Sequence, residues 1–171
     1  TFDGADSIDY DGTLSQVKMA VNSDLAYVTG LEMGLKGAFN DYLSVFSTLN
    51  YTYGRIVTDT VPTPLDHVAP LFGRVGFSGT YKKLKSDLFV SYSGKKALKD
   101  YNINGEDNIA NATVDGMPAW YTLNLRVNYQ FAPWVGLQVA CENILDQNYR
   151  VFASNISSPG RNFILTLRAS F

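Results

Sequence analysis

The feature that most constrains this chain is an alternation of period two, repeated along most of its length. From Tyr121, apolar side chains fall at Tyr121, Leu123, Leu125, Val127, Tyr129 and Phe131, with Trp120, Thr122, Asn124, Arg126, Asn128 and Gln130 between them. Successive side chains of a strand point to opposite faces, so this stretch predicts a strand with one apolar and one polar face. The pattern recurs in Phe163, Leu165, Leu167, Ala169 and Phe171, in Val135, Leu137, Val139 and Cys141, in Leu31, Met33, Leu35 and Phe39, and in Leu43, Val45, Leu49, Tyr51 and Tyr53. It predicts two further strands, from about Leu71 to Tyr81 and from about Lys85 to Gly94. Phe46, Phe72 and Phe89 break the rule by falling on the polar side. Only Leu14, Val17, Met19 and Val21 support an eighth strand, from Leu14 to Val21.

These strands run to about 10–13 residues, against the ~9–11 that cross a bilayer at a tilt. The connections separate by length. Asn40-Asp41, Lys82-Lys83-Leu84 and Ala132-Pro133 are tight turns, whereas residues 55–70, 95–119 and 145–160 form long polar loops. Because consecutive strands run in opposite directions, all the tight turns lie at one end of the sheet and all the long loops at the other, as in outer-membrane barrels.

Aromatics gather at the strand ends of the apolar face. Tyr51, Tyr53, Tyr92, Tyr121 and Phe163 lie toward the long loops, and Phe39, Tyr81, Tyr129, Phe131 and Phe171 toward the tight turns. Two aromatic girdles around an aliphatic band suit the two headgroup levels of a bilayer. The opposite face carries Glu32, Lys36, Arg74, Arg126, Glu142 and Arg168. A soluble sandwich would make the aliphatic face its core. A wide membrane barrel would turn that face to lipid and the charges to a water-filled or plugged lumen. A spanning sheet has no water to satisfy an open edge, so it must close.

Composition agrees once the two faces are averaged. The 171 residues are 46% hydrophobic with a net charge of -2, and mean hydropathy is -0.07. That excludes a disordered chain, and 14 Lys+Arg against 16 Asp+Glu give no basic surplus for nucleic acid. No apolar run reaches the ~18 residues of a helical span, and Thr1 opens no signal peptide. One cysteine forms no internal disulfide, and no cofactor or metal is expected.

The C-terminal residues are more specific. Cys141-Glu-Asn-Ile-Leu-Asp-Gln-Asn-Tyr149-Arg-Val-Phe, followed by Ser158-Pro-Gly-Arg161-Asn-Phe-Ile-Leu-Thr-Leu-Arg-Ala-Ser-Phe171, resembles the end of TonB-dependent outer-membrane receptors, with Ile144 in place of the usual Leu. Gly30-Leu31-Glu32, closing a short loop from Asn22, resembles a strand opening of the same family. The resemblance implies an all-β antiparallel transmembrane barrel of about 22 strands in a Gram-negative outer membrane, of which this chain holds about 7–8. It implies a transporter for a scarce nutrient of the ferric siderophore, cobalamin or glycan class, energised by TonB through an N-terminal plug. Residues 1–171 are expected to be the C-terminal barrel portion, without plug or TonB box. Its expected partners are the lipid bilayer, the rest of the receptor and the outer-membrane assembly machinery. TonB is a partner only through the missing plug, and the resemblance admits a surface lipoprotein. The rival expectation is a complete eight-stranded structural or adhesive barrel.

The resemblance also gives residues roles. Phe163, Leu165, Leu167, Ala169 and Phe171 would form the assembly signal, physically an edge open to strand addition. Asn143, Asp146, Tyr149, Pro159, Gly160 and Arg161 form the family motif, and Asn and Asp there would organise the turn by side-chain bonds to backbone. Arg74, Arg126 and Arg168 are expected to pair with Glu32, Glu142 or a plug surface. Arg150 and Arg161 read as rim charges, and ligand contacts are unassigned. Asp66-His67 would suit an outer-membrane hydrolase, but with no nucleophile on a recognisable turn it reads as a solvated loop pair. Asp3, Asp6, Asp9 and Asp11 lack the spacing and closing Glu of a calcium loop.

Overall fold

A computed structural model describes residues 5–17, 25–57, 61–103, 105 and 107–170. Phe171, Asp3, Met19 and Val21 lie outside the described residues. Among the described residues the regular structure is β apart from two single-turn 3-10 segments, Leu98–Asp100 and Ile109–Asn111. The strands are β1 (Ser7–Tyr10), β2 (Thr13–Gln16), β3 (Leu25–Ala38), β4 (Leu43–Val57), β5 (Thr63–Pro64), β6 (Phe72–Tyr81), β7 (Leu84–Ser93), β8 (Trp120–Ala132), β9 (Val135–Glu142) and β10 (Asn162–Ala169). β1 and β2 form a hairpin of their own. The others make one antiparallel sheet in the order β10-β9-β8-β7-β6-β4-β3, with β5 added to the end of β4. β3 and β10 end that path and are not paired with each other among the described residues.

The tight turns have local causes. Asn40 Oδ1 accepts the backbone N–H groups of Tyr42 and Leu43, both at 2.9 Å, closing the β3-β4 turn through a side chain. Lys82-Lys83 alone joins β6 to β7, with Lys82 at φ 52°, as a two-residue hairpin requires.

Register brings the apolar residues of every long strand onto one face. One row runs Gly37, Val45, Phe77, Leu88, Leu125, Cys141 and Phe163. Gly37 lies at the tight-turn end of β3, whereas Phe163 lies at the loop end of β10. The strands therefore stagger steadily across the sheet, the shear that closing a barrel requires. On that face Gly73 leaves room for Tyr92, whose hydroxyl crosses β6 to donate to Thr48 O at 3.2 Å. A Cβ at Gly73 would stand 2.7 Å from that hydroxyl and 2.0 Å from Thr48 O.

Burial is inverted relative to a soluble domain. Leu165 and Leu167 on the apolar face are 73% and 71% exposed, while Thr122 and Asn124 on the polar face are 3% and 5% exposed. In water, that much bared apolar area would be strongly unfavourable at ~25 cal/mol per Å². Against lipid it is the required arrangement, and the sandwich alternative fails because no second sheet covers the aliphatic face among the described residues.

Three expectations need correction. β3 begins at Leu25, not near Leu31, and β4 runs on to Val57. Their ends extend past the girdle level into water, where Thr29 and Arg55 replace apolar residues and the lipid alternation fades. The predicted strand from Leu14 is short: Thr13–Gln16 pairs with Ser7–Tyr10 across Asp11-Gly12, both with positive φ, and lies outside the main sheet. Asp-Gly favours a two-residue hairpin, which reading Asp9 and Asp11 as a solvated loop overlooked.

Candidate functional site

The residues expected to form a motif, Asn143 to Arg161, make a knot of hydrogen bonds at the outer end of β8, β9 and β10. Asn143 is 2% exposed with φ 49°, a left-handed conformation that Asn tolerates better than most residues. Its Nδ2 donates to Gln147 O at 2.8 Å and Pro159 O at 3.3 Å, and its Oδ1 accepts from Gln147 N at 2.9 Å. Its own N–H donates to Oδ1 of Asn124 at 3.0 Å, tying the turn to β8. Asp146 Oδ1 accepts Arg161 N at 2.8 Å, and Arg161 Nε donates to Ile144 O at 2.9 Å. A Cβ at Gly160 would stand 2.6 Å from Asp146 Oδ1, so a side chain there would crowd the carboxylate. Tyr149 packs on Trp120 with ring centroids 4.4 Å apart, and its carbonyl accepts from Ser158 N at 2.9 Å. The motif residues thus hold one another across the long loop, with Asn124 a member that sequence patterning did not mark.

In β10, Phe163, Leu165, Leu167 and Ala169 face outward along a strand paired only on its β9 side among the described residues. Glu32, Lys36, Arg74, Arg126, Glu142 and Arg168 all fall on the inner face. The expected pairing of the arginines with Glu32 or Glu142 does not occur among the described residues. Asn50 stands opposite Glu32 and Asn162 opposite Glu142, while Asp87 stands opposite Arg126. Asp87, whose carboxylate accepts from the Ser78 hydroxyl, was the overlooked inner acid.

The rule-breaking phenylalanines explain where the cations go. The Arg74 guanidinium lies 5.8 Å from the Phe46 ring centroid and that of Arg126 lies 5.9 Å from Phe89, with the two rings 6.4 Å apart. Cation–π contact substitutes for ion pairing here. Around them is a cavity of about 440 Å³, also lined by Lys36, Ser78 and Asp87.

The long loops fold into a linked cap. Arg55 lies over the Tyr53 ring at 4.3 Å and pairs with Asp100 at 3.0 Å, joining residues 55–70 to 95–119. The first charge on the outward face beyond Tyr51 and Tyr53 was the available signal for it. Asp107 is 2% exposed and accepts His67 N and Asn102 N, each at 2.8 Å. Asp66 lies 3.6 Å from His67 Nδ1, so Asp66-His67 is part of this scaffold. Lys96 is 6% exposed, donates to Val68 O and lies 4.7 Å from the Phe152 ring centroid. Arg150 donates to Asn111 O at 3.2 Å, so it and Arg161 both engage loop carbonyls. Among the described residues no three His, Cys, Asp or Glu side chains gather to hold a metal ion.

Burial pushes the Asp107 carboxyl up, the Asp66 carboxyl adding to the rise, and burial pushes the Lys96 ammonium down. For a raised acid, the stabilising contribution is complete below its unfolded value of 3.8 and is lost as pH climbs through the higher folded value. For a lowered base, stability recovers as pH rises through the folded value toward 10.5. The cap should therefore be loosest around neutral pH. Asp107→Ala takes the acceptor from Asn102 N and leaves His67 N with only its longer bond to Asp66 Oδ1 at 3.2 Å, costing about 1–3 kcal/mol locally. In the intact receptor, tryptic cleavage after the exposed Lys99 should speed up more than tenfold. An unchanged rate would show that Asp107 does not hold the cap.

An antiparallel sheet with an apolar exterior, a polar sheltered face, tight turns at one end and linked loops at the other defines the wall of a transmembrane β-barrel. Residues 3–153 match the family model of TonB dependent receptor-like β-barrels, and the chain belongs to that family. Its members are receptors and transporters of the outer membrane, not enzymes. No curated protein matches the sequence. Among solved structures, the copper transporter OprC aligns at 19% identity with a TM-score of 0.72, over 85% of this chain and 24% of its own. The siderophore receptor PiuA from Acinetobacter baumannii aligns at 16% identity and TM-score 0.55, over 84% of this chain and 22% of its own. The ferric yersiniabactin uptake receptor FyuA from Yersinia pestis aligns at 17% and 0.54, over 90% and 23%. At these identities the likeness shows the fold, and the chain spans about a quarter of the length of each structure.

Proposed function

We propose that residues 1–171 are the C-terminal wall, outer loops and assembly strand of a TonB-energised receptor that takes up a scarce nutrient. The observation that carries this reading is the inverted sheet that ends in the hydrogen-bonded motif from Asn143 to Arg161. Among the described residues β3 and β10 are each paired on one side, and their open edges are the places where the other barrel strands would add. A complete eight-stranded barrel needs one more long strand to join β3 to β10, and the described residues supply seven along this path, so the receptor reading is preferred. The inner face, with Glu32, Lys36, Arg74, Arg126, Glu142 and Arg168, would meet the plug, and through the plug the chain would answer to TonB. Phe163, Leu165, Leu167, Ala169 and Phe171 would be read by the assembly machinery. A surface lipoprotein could dock only on the loop cap.

Among the nutrient classes, the named ligands of the structural neighbours are copper, siderophores and ferric yersiniabactin. The uptake reading is tested in the source bacterium under iron, cobalamin and glycan limitation. Deleting the whole gene should abolish growth on one ligand, and deleting tonB should do the same. Growth that is lost with the gene but retained without TonB would overturn energised transport.

A further inference from the structure

The tight-turn end of the sheet, far from the loop cap, brings aromatic rings and cations to one level. β3 is joined to β4 through Asn40-Asp41, β6 to β7 through Lys82-Lys83, and β8 to β9 through Pro133-Trp134. The rings of Tyr42 and Tyr81 lie 6.1 Å apart, those of Phe39 and Phe77 6.5 Å, and those of Tyr129 and Phe131 4.8 Å, while Trp134 stands exposed in its turn. A belt of exposed rings around a barrel wall marks the headgroup layer. Because short turns of such barrels are periplasmic, this belt belongs to the leaflet on the periplasmic side. Lys82 and Lys83 interrupt it between Tyr81 and Leu84, and both are exposed.

Both lysines are held at the level of the belt. The Lys82 ammonium lies 5.3 Å from the Tyr81 ring centroid, on a backbone at φ 52°. Lys83 Nζ donates to Phe131 O at 2.9 Å. The β8-β9 register slips between Gln130 and Ala132, so Phe131 is the extra residue of a bulge, and its carbonyl takes the lysine. An ammonium has three donors, of which Lys83 uses one and Lys82 none in hydrogen bonds among the described residues. Neither makes an ion pair there. Asp41 of the neighbouring turn pairs with neither, and Asp87 lies on the inner face with Ser78. Lys85 also falls on the inner face, opposite Asn128. Two cations fixed among rings where water gives way to lipid favour an anion that resides in that layer.

We propose that the Lys82-Lys83 turn is a binding site for an anionic phospholipid of the periplasmic leaflet. The lipid phosphate accepts from both ammoniums, and the glycerol and first acyl carbons lie against Tyr81, Leu84 and Phe131, all exposed on the outward face. A zwitterionic lipid would bring an amine of its own to a turn that already holds two cations. Free phosphate would gain the same hydrogen bonds and nothing from the rings. The proposal takes its orientation from the receptor reading and goes beyond it, giving the outer wall of the barrel a selective lipid partner.

The test titrates the delipidated full-length receptor with dioleoyl phosphatidylglycerol, phosphatidylethanolamine and phosphatidylcholine, read by native mass spectrometry. Phosphatidylglycerol should bind its tightest site at least tenfold better than the other two. Lys82→Gln with Lys83→Gln should weaken it by tenfold or more, a cation near a charged lipid surface being worth about fivefold. Lys82→Arg with Lys83→Arg should keep the preference, and Lys95→Gln with Lys99→Gln in the outer loops should leave it unchanged. The exchanged side chains are exposed, so the variants should fold, and an unchanged melting temperature checks this. Equal affinity for the three lipids, or unchanged phosphatidylglycerol affinity in the folded double Gln variant, would overturn the proposal. Displacement of the lipid by excess inorganic phosphate would assign the turn to a free anion and also overturn it. Wild-type binding to isolated peptidoglycan that the double Gln variant loses, with no lipid preference, would assign the lysines to the cell wall instead. Asp41→Cys separates the orientation from the site: labelling by an impermeant maleimide in intact cells, above the Cys141 background of the wild type, would place the turn outside and overturn the periplasmic assignment. If uptake does not depend on TonB, the receptor reading falls and the lipid titration still decides the turn.

Discussion

Val139→Arg or Leu165→Arg is expected to cost the assembled receptor about 2–4 kcal/mol, the penalty for a cation on the lipid face near the bilayer midplane. The two residues stand opposite each other on β9 and β10, and Leu165 is among the most exposed side chains of the sheet. Their chain neighbours Gln138 and Thr166 also stand opposite each other, on the inner face. Gln138→Arg and Thr166→Arg should therefore change little, because that face meets water or polar protein. The readout is the amount of heat-modifiable, folded receptor in outer-membrane fractions. A soluble sandwich would also suffer from the first pair, as core substitutions. It would not show the depth dependence that arginine scanning of Phe163, Leu165 and Leu167 should reveal, worst at the midplane and mild at the girdle. A flat profile along that strand would contradict the membrane assignment.

Asn143→Ala is the second large effect expected. Alanine removes two donors and one acceptor from a residue that is 2% exposed, leaving the Gln147 N–H without its acceptor. It also places a Cβ without local compensation at φ 49°. The two terms together are worth about 2–4 kcal/mol, taking ~1–3 for the stranded Gln147 N–H and ~1 for the left-handed backbone. Asn143→Gly separates them. It relieves the backbone term, so it should recover about 1 kcal/mol relative to alanine while losing the same side-chain bonds. In guanidinium unfolding of the detergent-solubilised receptor, equal midpoints for Ala and Gly would show that the backbone term is absent. Wild-type midpoints for both would show that the motif is dispensable for stability.

The strand assignments were legible because lipid on one side and a polar interior on the other impose period two on each strand separately. The signal failed where that contrast failed. Leu25 to Gly30 and Gly54 to Val57 are paired strand, yet they rise beyond the girdle and carry no lipid pattern. The charges of Asp9 and Asp11 suggest a solvated loop, yet Asp11-Gly12 turns the chain into a hairpin because both residues take positive φ. The motif at Asn143, Asp146 and Arg161 could be named from residue order. Its partner Asn124 could not, since 19 residues separate the two and a polar residue at that position fits the inner face anyway.

The sequence by itself determined which side chains share the apolar face and which the polar one, which connections are tight, and to which family the chain belongs. These follow from neighbours along the chain, through strand pleat and turn chemistry. Only the tertiary structure decided the stagger from Gly37 to Phe163, the union of Arg55 with Asp100 and of Asp107 with His67, and the contact of Phe46 with Phe89. Those depend on pairings between distant segments, whose cost in loop closure is met only when the whole sheet forms. A period-two pattern reads the same whether a phenylalanine stacks on its neighbour or stands open beside an arginine.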